Sequence, residues 1–405
     1  MTPTDRRATA TASRPIAMVV HSYYEEDPRV RREAEALVAA GREVDVFALR
    51  RPDDPVDEVL DGVRVRRLGV QRHQGAGLRT YLVEYLAFLV QAGFALTRAH
   101  RRRRYGLVQV HTLPDFLVFA AAPLRLAGIP VILDLHESMP EFFRSRFHGT
   151  AGRVGYALLR AQESASIGFA SAVITVNDAL GDRLRGLGVR DSKLTIVRNA
   201  PSLARFDVGR QPGRPFMADG TLRLVYAGAL SPIYELDIVL VAMARLAERR
   251  PDLPICLELY GRDFAEVPLR DQAETLGIAD RVTFHGRIPI EAVPAAIAAA
   301  DVGLAPTRRS VFTDFSLSTK AYEYAAMARP VVASRLPMVE RTFGDDVVTY
   351  TAGDADDLAL ALLRLVDDPG GREALVARAL ERVRRLAWER EAPRYLALVD
   401  GLAKG

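Results

Sequence analysis

The sequence predicts an α/β protein of two doubly wound parallel-sheet domains facing each other across a cleft. Three observations carry that expectation. Short apolar runs alternate with stretches of helical periodicity, the pattern of parallel strands covered by helices on both faces. The alternation stops between Pro201 and Gly220 and then restarts. The chain has 405 residues, more than one hydrophobic core ordinarily supports and enough for two domains of roughly 200 residues each.

The elements follow in order. Ile16–Val20 reads as a buried strand, and a helix runs from about Pro28 to Ala40 until Gly41 closes it. Val44–Leu49 and Val63–Leu68 are the next strands, and a long helix covers Leu78–Arg101. Strand Leu107–His111, helix Phe116–Ala127 and strand Val131–Leu135 come next. Then follow a helix near Gly155–Ala170, strand Ala172–Val176, helix Asp178–Gly186 and strand Leu194–Val197. Four prolines or glycines fall within Pro212–Gly220, and no apolar period crosses them, as expected of an interdomain linker. The second half repeats the rhythm. Strands at Leu222–Ala227, Ile255–Tyr260, Val282–Phe284, Val302–Ala305 and Val331–Ala333 are separated by helices at Leu236–Arg249, Leu269–Leu276, Ile290–Ala299 and Thr319–Ala328. In such sheets ligands bind outside the carboxyl ends of the strands, so the cleft between the domains is the expected site.

Composition narrows the function classes. An apolar share of 49% with 26% charged residues excludes a mostly disordered or fibrous chain. A single cysteine, Cys256, excludes an internal disulfide framework and a cysteine-rich metal site. Basic and acidic residues number 55 and 51, so the net charge of +4 does not by itself imply nucleic acid. All but three of the basic residues are arginines; the lysines are Lys193, Lys320 and Lys404, which singles each of them out. Residues 1–15 are polar, carry Arg6, Arg7 and Arg14 with no apolar core behind them, and read as a disordered leader, not an export signal. The most apolar helical stretch, Tyr81–Thr97, contains Glu84 and Gln91 and is shorter than a comfortable bilayer span. A cytoplasmic, soluble protein is therefore expected.

The stretch Ser318-Thr-Lys-Ala-Tyr-Glu-Tyr-Ala-Ala-Met-Ala-Arg-Pro-Val-Val-Ala-Ser334 is the most informative. A helix opens there after a loop of polar and small residues, with Ser318 or Thr319 as N-cap. Its exposed N–H groups and positive dipole end favour an anion. Lys320 opposes the dipole unless an anion is bound nearby, and Glu323 lies one turn on. A cation for phosphates and a carboxylate for ribose hydroxyls suit a nucleotide diphosphate. A solvated Lys–Glu pair on an ordinary helix is the other reading.

This stretch resembles the donor-site helix of the retaining glycosyltransferases of family 4, which have the GT-B fold. The likeness covers nearly the whole chain. Asp27-Pro-Arg-Val-Arg-Arg-Glu33, Val110-His-Thr-Leu-Pro-Asp115 and Leu133-Asp-Leu-His-Glu137 are similar to the family's motifs. So are Val173–Val176, Arg198-Asn-Ala-Pro201, Tyr226-Ala-Gly228, Val282-Thr-Phe-His-Gly286 and Ala300–Pro306, in the family's order. The resemblance implies two Rossmann-like domains: an acceptor-binding one at 16–205 and a nucleotide-sugar-binding one at 206–385. A helix at 386–405 would cross back onto the first.

The family's ribose-binding glutamate falls on Glu323. The earlier member of its Glu-x7-Glu pattern falls on Phe315, with Asp314 next door as a substitute. The family's diphosphate clamp, an Arg after the Gly228 glycine and a later Lys-Gly, is replaced here by Ala229 and Tyr234-Glu235. Lys320, Arg262 and the loop N–H groups remain as cations and donors for phosphate. Ser318, Thr319, Gly228 and Ile288 complete the implied donor side. His136 falls where the family has a histidine beside the donor sugar, as the implied catalytic residue. Two other readings attach to it: a metal-binding Asp-x-His with Asp134, as in GT-A transferases, and a Glu–His acid/base pair with Glu137. A strand-end histidine held by hydrogen bonds is the structural alternative. Tyr23, Tyr24, His111 and Glu137 are acceptor-side candidates, Tyr23 and Tyr24 with packing as the equal alternative; Asp115 is a further one.

For a retaining enzyme with no evident nucleophile, the resemblance implies attack on the face the leaving group departs from, with the diphosphate taking the acceptor's proton. No metal and no cofactor are expected, the nucleotide sugar being a substrate. The acceptor would be a glycan, a lipid carrier or a small metabolite. A second reading, from another class, is a degenerate GT-B protein that binds a sugar nucleotide or glycan without turnover. Arg98 and Arg101–Arg104 form the strongest basic run. They would dock on anionic lipid at the inner face of a membrane or simply end a core helix favourably. Without interleaved aromatics, the run does not suit nucleic acid.

Overall fold

The computed structural model describes residues 14–72, 77–147, 149–262 and 265–403. Of the expected leader, residues 1–13 lie outside this range, as do residues 404–405 of the last segment. The first sheet has eight strands: β1 (Ile16–Val19), β2 (Val44–Leu49), β3 (Asp57–Leu60), β4 (Val63–Leu68), β5 (Leu107–His111), β6 (Val131–Leu135), β7 (Ala172–Thr175) and β8 (Leu194–Ile196). Their order is β3-β4-β2-β1-β5-β6-β7-β8, parallel except where β3 pairs antiparallel with β4. The second sheet has six: β9 (Leu222–Ala227), β10 (Ile255–Tyr260), β11 (Val282–Gly286), β12 (Val302–Ala305), β13 (Val331–Ser334) and β14 (Val348–Tyr350), in the order β11-β10-β9-β12-β13-β14. Both are doubly wound. The order reverses between β1 and β5 in one sheet and between β9 and β12 in the other, and a crevice opens at the carboxyl ends of such strand pairs.

Central strands such as β1 (Ile16, Ala17, Met18, Val19) and β7 (Ala172, Val173, Ile174) are buried because their runs are apolar. β3 and β14 escape the sequence reading for opposite reasons. β3 is an edge strand of only four positions, two acids followed by two apolar residues with no alternation, and β14 is three residues long. Helices at Met139–Arg146, Ala355–Asp367 and Pro369–Leu386 also go beyond the expected set. The expected Phe116–Ala127 helix is instead a 3-10 run, Asp115–Ala121, followed by a short α-helix, Ala122–Leu126. Pro123 stands in the first turn of the latter, where a missing N–H costs nothing, and it cannot continue an earlier helix.

Two further features position the site. The 201–220 segment is not a loose tether: Leu203, Phe206, Phe216 and Met217 pack into the cores of the second domain. The C-terminal helix Trp388–Ala403 leaves the second domain and lays Trp388, Tyr395 and Val399 into a core of the first, against Ile16, Leu107 and Ile132. It thus ties the two domains together beneath the cleft.

Candidate active site

The carboxyl ends of β9 and β10 carry glycines that bring backbone against side chain. Gly228 has φ 155°, and a Cβ there would meet Lys320 Cε at 2.2 Å. Gly261 has φ 151°, and a Cβ there would fall 1.8 Å from the Gly228 carbonyl oxygen. Only glycine fits either place. Their N–H groups donate to Tyr260 O and Gly286 O at 2.8 Å each, which stitches β9, β10 and β11 into one floor. Above it is a cavity of about 690 Å³ between the domains. Gly228, Ala229, Gly261, Arg262, Ile288 and Glu323 line it from the second domain, and Glu25, Glu26, Arg31 and Arg51 from the first.

The Thr319–Ala326 helix points its first turns at this cavity. Its apolar face, Ala321, Tyr324 and Ala325, is buried against β12 and β13, which fixes the helix and leaves Glu323 half-buried on the cleft side. Glu323 also lines a neighbouring cavity of about 630 Å³ together with Thr319 and Arg32. Burial pushes its carboxyl above the usual range, and the charges of Lys320, Arg205 and Arg32 oppose that rise. Ser318 occupies the N-cap position, but its side chain makes no capping bond, and its buried hydroxyl has no partner. Asp314 pairs with Arg309 at 3.2 Å and lines neither cavity, so the structure does not place it where a second ribose-binding carboxylate is needed.

Lys320 is only 7% exposed. Its ammonium lies 3.9 Å from the ring centre of Tyr234 and 5.0 Å from that of Tyr226, just beneath Gly228. Tyr234 is one of the two residues standing where the family has its Lys-Gly. The helix thus sends a cation to the side of Tyr234, the residue that replaces the loop's expected cation. Glu235, the next residue, turns away. It is buried and accepts hydrogen bonds from Tyr350 Oη at 3.1 Å and Gly353 N at 3.0 Å, so it braces the far edge of the sheet.

Across the cleft, β5 and β6 end in a buried polar cluster. Asp134 Oδ2 lies 3.0 Å from His111 Nδ1, 3.2 Å from His136 Nε2 and 3.0 Å from Gln109 Nε2. Gln109 also donates to Glu33 at 2.6 Å and accepts from Tyr395 Oη at 2.8 Å, so the C-terminal helix reaches this network. Burial favours a neutral Asp134, but the adjacent His136 and His111 hold its carboxyl well below the usual range. Burial lowers His136 in turn, opposed by Asp134. With Nε2 engaged by Asp134, His136 keeps an unpartnered, buried Nδ1. The three ligand atoms of His111, Asp134 and His136 lie within 4.8 Å of one another, a spacing that would also accept a cation. His136 and His111 sit behind the cleft wall, 6% and 1% exposed.

Beside this cluster is a smaller first-domain pocket of about 350 Å³, lined by Tyr23, Glu137, Arg29, Arg72 and Tyr85 among others. The Arg51 guanidinium lies over the Tyr23 ring at 4.2 Å. Burial would raise Asp27, but Arg29, 3.0 Å away, holds it well below the usual range. Burial pushes Glu137 up, with Arg29 opposing. Tyr24 does not join this pocket. It is 1% exposed and packs in the first-domain core with Val30 and Val46, so packing is its role. Asp115 is likewise buried at 1%, its carboxyl pushed up to about 8 by burial and by Glu163.

A third interdomain cavity, of about 660 Å³, is rich in arginine. Its cations are already engaged: Arg198 with Asp178, Arg341 with Asp182, Arg378 and Arg382 with Asp346, and Arg385 with Glu381. It therefore suits a diphosphate less well than the Gly228 floor. Several residues of the cleft went unnoticed in the sequence. Gly261 follows its strand as Gly228 does, a repetition visible in Tyr226-Ala-Gly228 and Leu259-Tyr-Gly261. Gln109 interrupts an otherwise apolar strand, as the already considered Asp134 does in the next one, which marks it as a partnered buried group.

Residues 27–200 match a family described as Glycosyl transferase 4-like domain, and residues 221–368 one described as Glycosyl transferases group 1. The chain is 26% identical over 390 residues to the D-inositol 3-phosphate glycosyltransferase of Thermomonospora curvata, spanning 91% of this chain and 88% of that protein. Among solved structures, sucrose-phosphate synthase from Thermosynechococcus elongatus superposes with a TM-score of 0.76 at 21% identity, over 96% of this chain and 99% of the other. Anabaena Alr3699/HepE in complex with UDP-glucose gives 0.69 at 15% identity, over 95% and 99%.

Proposed function

This chain belongs to the group 1 glycosyltransferases of the GT-B fold, which use nucleotide sugars, and on that premise we propose that it transfers the sugar with retention of configuration to an acceptor hydroxyl. The observation that carries the reading is the buried Lys320 ammonium beneath Gly228, one helical turn from the half-buried Glu323. Glu323 accepts from the ribose hydroxyls. The diphosphate lies over the Gly228 floor, met by Lys320, Arg262 and the start of the Thr319–Ala326 helix. The donor sugar extends toward the first domain and the strand end that carries His136. The acceptor enters by the pocket of Tyr23, Tyr85 and Glu137.

The bond from C1 to the diphosphate oxygen breaks as the acceptor oxygen bonds to C1 on the same face. The acceptor's proton passes to the departing diphosphate, whose charge the cations stabilise. The carboxylates nearby support this route over a covalent one. Asp27 is tied to Arg29, Glu26 to Arg51 and Arg287, and Glu137 is pushed toward its neutral form, which makes a poor nucleophile. We propose that no metal takes part. Three N–H donors converge on Asp134 Oδ2, and Arg29 adds positive charge close to the histidines, both of which disfavour a cation there.

One observation favours the second reading, binding without turnover: Ala229 and Tyr234 stand where the family has cations. The test covers both. UDP-, GDP-, ADP- and dTDP-sugars are screened by thermal shift, then incubated with acceptors that include D-inositol 3-phosphate, for which relatives are named. The anomeric coupling constant of the product is read by NMR. An inverted product refutes retention, and binding with no nucleotide released from any pair supports the second reading.

A further inference from the structure

We propose that the outer face of the first domain is a docking surface for an anionic phospholipid bilayer. Three elements build it: the Leu78–Arg103 helix, the Asp115–Leu126 segment and the Gly149–Phe169 helix, packed side by side over one face of the first sheet. Their inner sides are core. Phe88, Ala92 and Leu96 come from the long helix, Leu117 and Leu124 from the middle segment, and Ile167 from the third.

Their outer sides are apolar without cover. Leu82, Leu86, Val90 and Phe94 recur every fourth residue along the long helix, at 51, 46, 69 and 73% exposure. Leu126 follows at 88% on the middle segment, and Val154 and Leu158 at 55 and 66% on the third. Single exposed leucines are ordinary; a four-turn stripe continued on two neighbours marks an interaction surface.

Charge decides the occupant. The chain holds 51 acidic residues, yet these three elements contain only Glu84, Asp115 and Glu163. All three are buried, at 5, 1 and 1% exposure. The charges left facing outward are cations: Arg79 at one end, Arg98, Arg101, Arg102 and Arg104 at the other, and Arg153 on the third element. Arg103 turns inward to Asp45 and Glu43. A face of apolar residues bounded by arginines, with no exposed carboxylate among its described residues, matches the interface of an anionic bilayer. A second copy fits it poorly, because two-fold pairing would set these cationic margins against each other with no acid to neutralise them.

The helix lies on the bilayer and does not cross it. Arg79–Arg103 is long and apolar enough to span by length and composition, but Phe88, Ala92 and Leu96 are fixed in the core. The same helix supplies Tyr85 to the first-domain pocket. The proposal does not depend on the reaction assigned above.

The full chain is sedimented with vesicles of phosphatidylglycerol and, separately, of phosphatidylcholine. Binding to the anionic vesicles, weakened by salt, is expected. The double variant V90D/F94D should lower the partition at least about tenfold, and Leu158→Glu should lower it too, from a different helix. Arg101→Ser and Arg102→Ser should each lower it about fivefold. All variants should keep the wild-type melting temperature, since the replaced side chains face outward. No binding by wild type, binding unchanged in V90D/F94D and Leu158→Glu, or equal binding to both vesicles overturns the proposal. So does a wild-type dimer that V90D/F94D converts to monomer, which would give the face to a second copy.

Discussion

Replacing Lys320 with methionine tests the donor site at its least replaceable point. Methionine keeps an unbranched stem of similar length against Tyr234 and Tyr226, so it fills the space beneath Gly228 and removes only the charge. At about 4 Å, a unit charge pair in a partly buried setting interacts by roughly 4 kcal/mol. Part of that is already spent in removing the charges from water, and charge-assisted contacts usually net about 1.5–3 kcal/mol. The expected loss in kcat/KM for the nucleotide sugar is therefore about 10- to 150-fold. Since the charge on the leaving diphosphate grows in the transition state, kcat should fall along with donor affinity. Steady-state kinetics with the best donor, together with thermal shift by the free nucleoside diphosphate, measures both. Gly228→Ala is the companion. Its Cβ would sit 2.2 Å from Lys320 Cε, so it should displace the ammonium and reproduce much of the defect while the charge remains. A folded Lys320→Met protein whose kcat/KM for donor stays within about twofold of wild type would refute the assignment.

Glu323→Gln should raise the KM for donor about tenfold with little change in kcat, because the ribose contact is made equally in ground and transition states. Burial raises the Glu323 carboxyl, so the wild type should lose donor affinity as pH falls through that raised value, and kinetics of the Gln variant should show a flatter acid limb. His136→Ala should lower kcat about a hundredfold or more in protein that still folds and binds donor, and equal turnover by the two proteins would remove His136 from the chemistry. Turnover should survive EDTA and gain nothing from added Mn²⁺ or Zn²⁺; loss on chelation, restored by metal, would assign a cation to His111, Asp134 and His136. Asp115 is pushed up to about 8 from 3.8, so between those values the native protein holds a proton that the unfolded chain releases. Wild-type stability should therefore fall relative to Asp115→Asn as pH rises from 4 toward 8, by up to about 1.4 kcal/mol per unit, a difference that urea titrations of the two proteins at several pH values would read.

Much of this architecture is legible in the sequence because parallel strands covered on both faces must be apolar throughout. β1, β2, β6 and β9 follow their runs closely. What depends on tertiary partners is not. β3 is held by pairing with β4 at an exposed edge, and no periodicity announces it. The Asp115–Ala121 run has helical spacing but is wound as a 3-10 segment ahead of Pro123. The cleft divides in the same way. Glu323 and Gly228 are found by local pattern, since a helix start and a strand-end glycine are local features. Tyr23 and Tyr24 are indistinguishable in sequence, and only the fold sends one to the pocket and the other to the core. Lys320 combines both kinds of information. In a chain that uses arginine almost everywhere else, a lysine at the first turn of an anion-facing helix is conspicuous by type alone. Its reason is three-dimensional. The space under Gly228 admits a slender stem between two tyrosine rings, and a planar guanidinium is wider than an ammonium on such a stem. Ala229 and Tyr234 leave the loop without its own cation, so in the proposed donor site the ammonium carried there by the helix would meet the diphosphate alone or with Arg262.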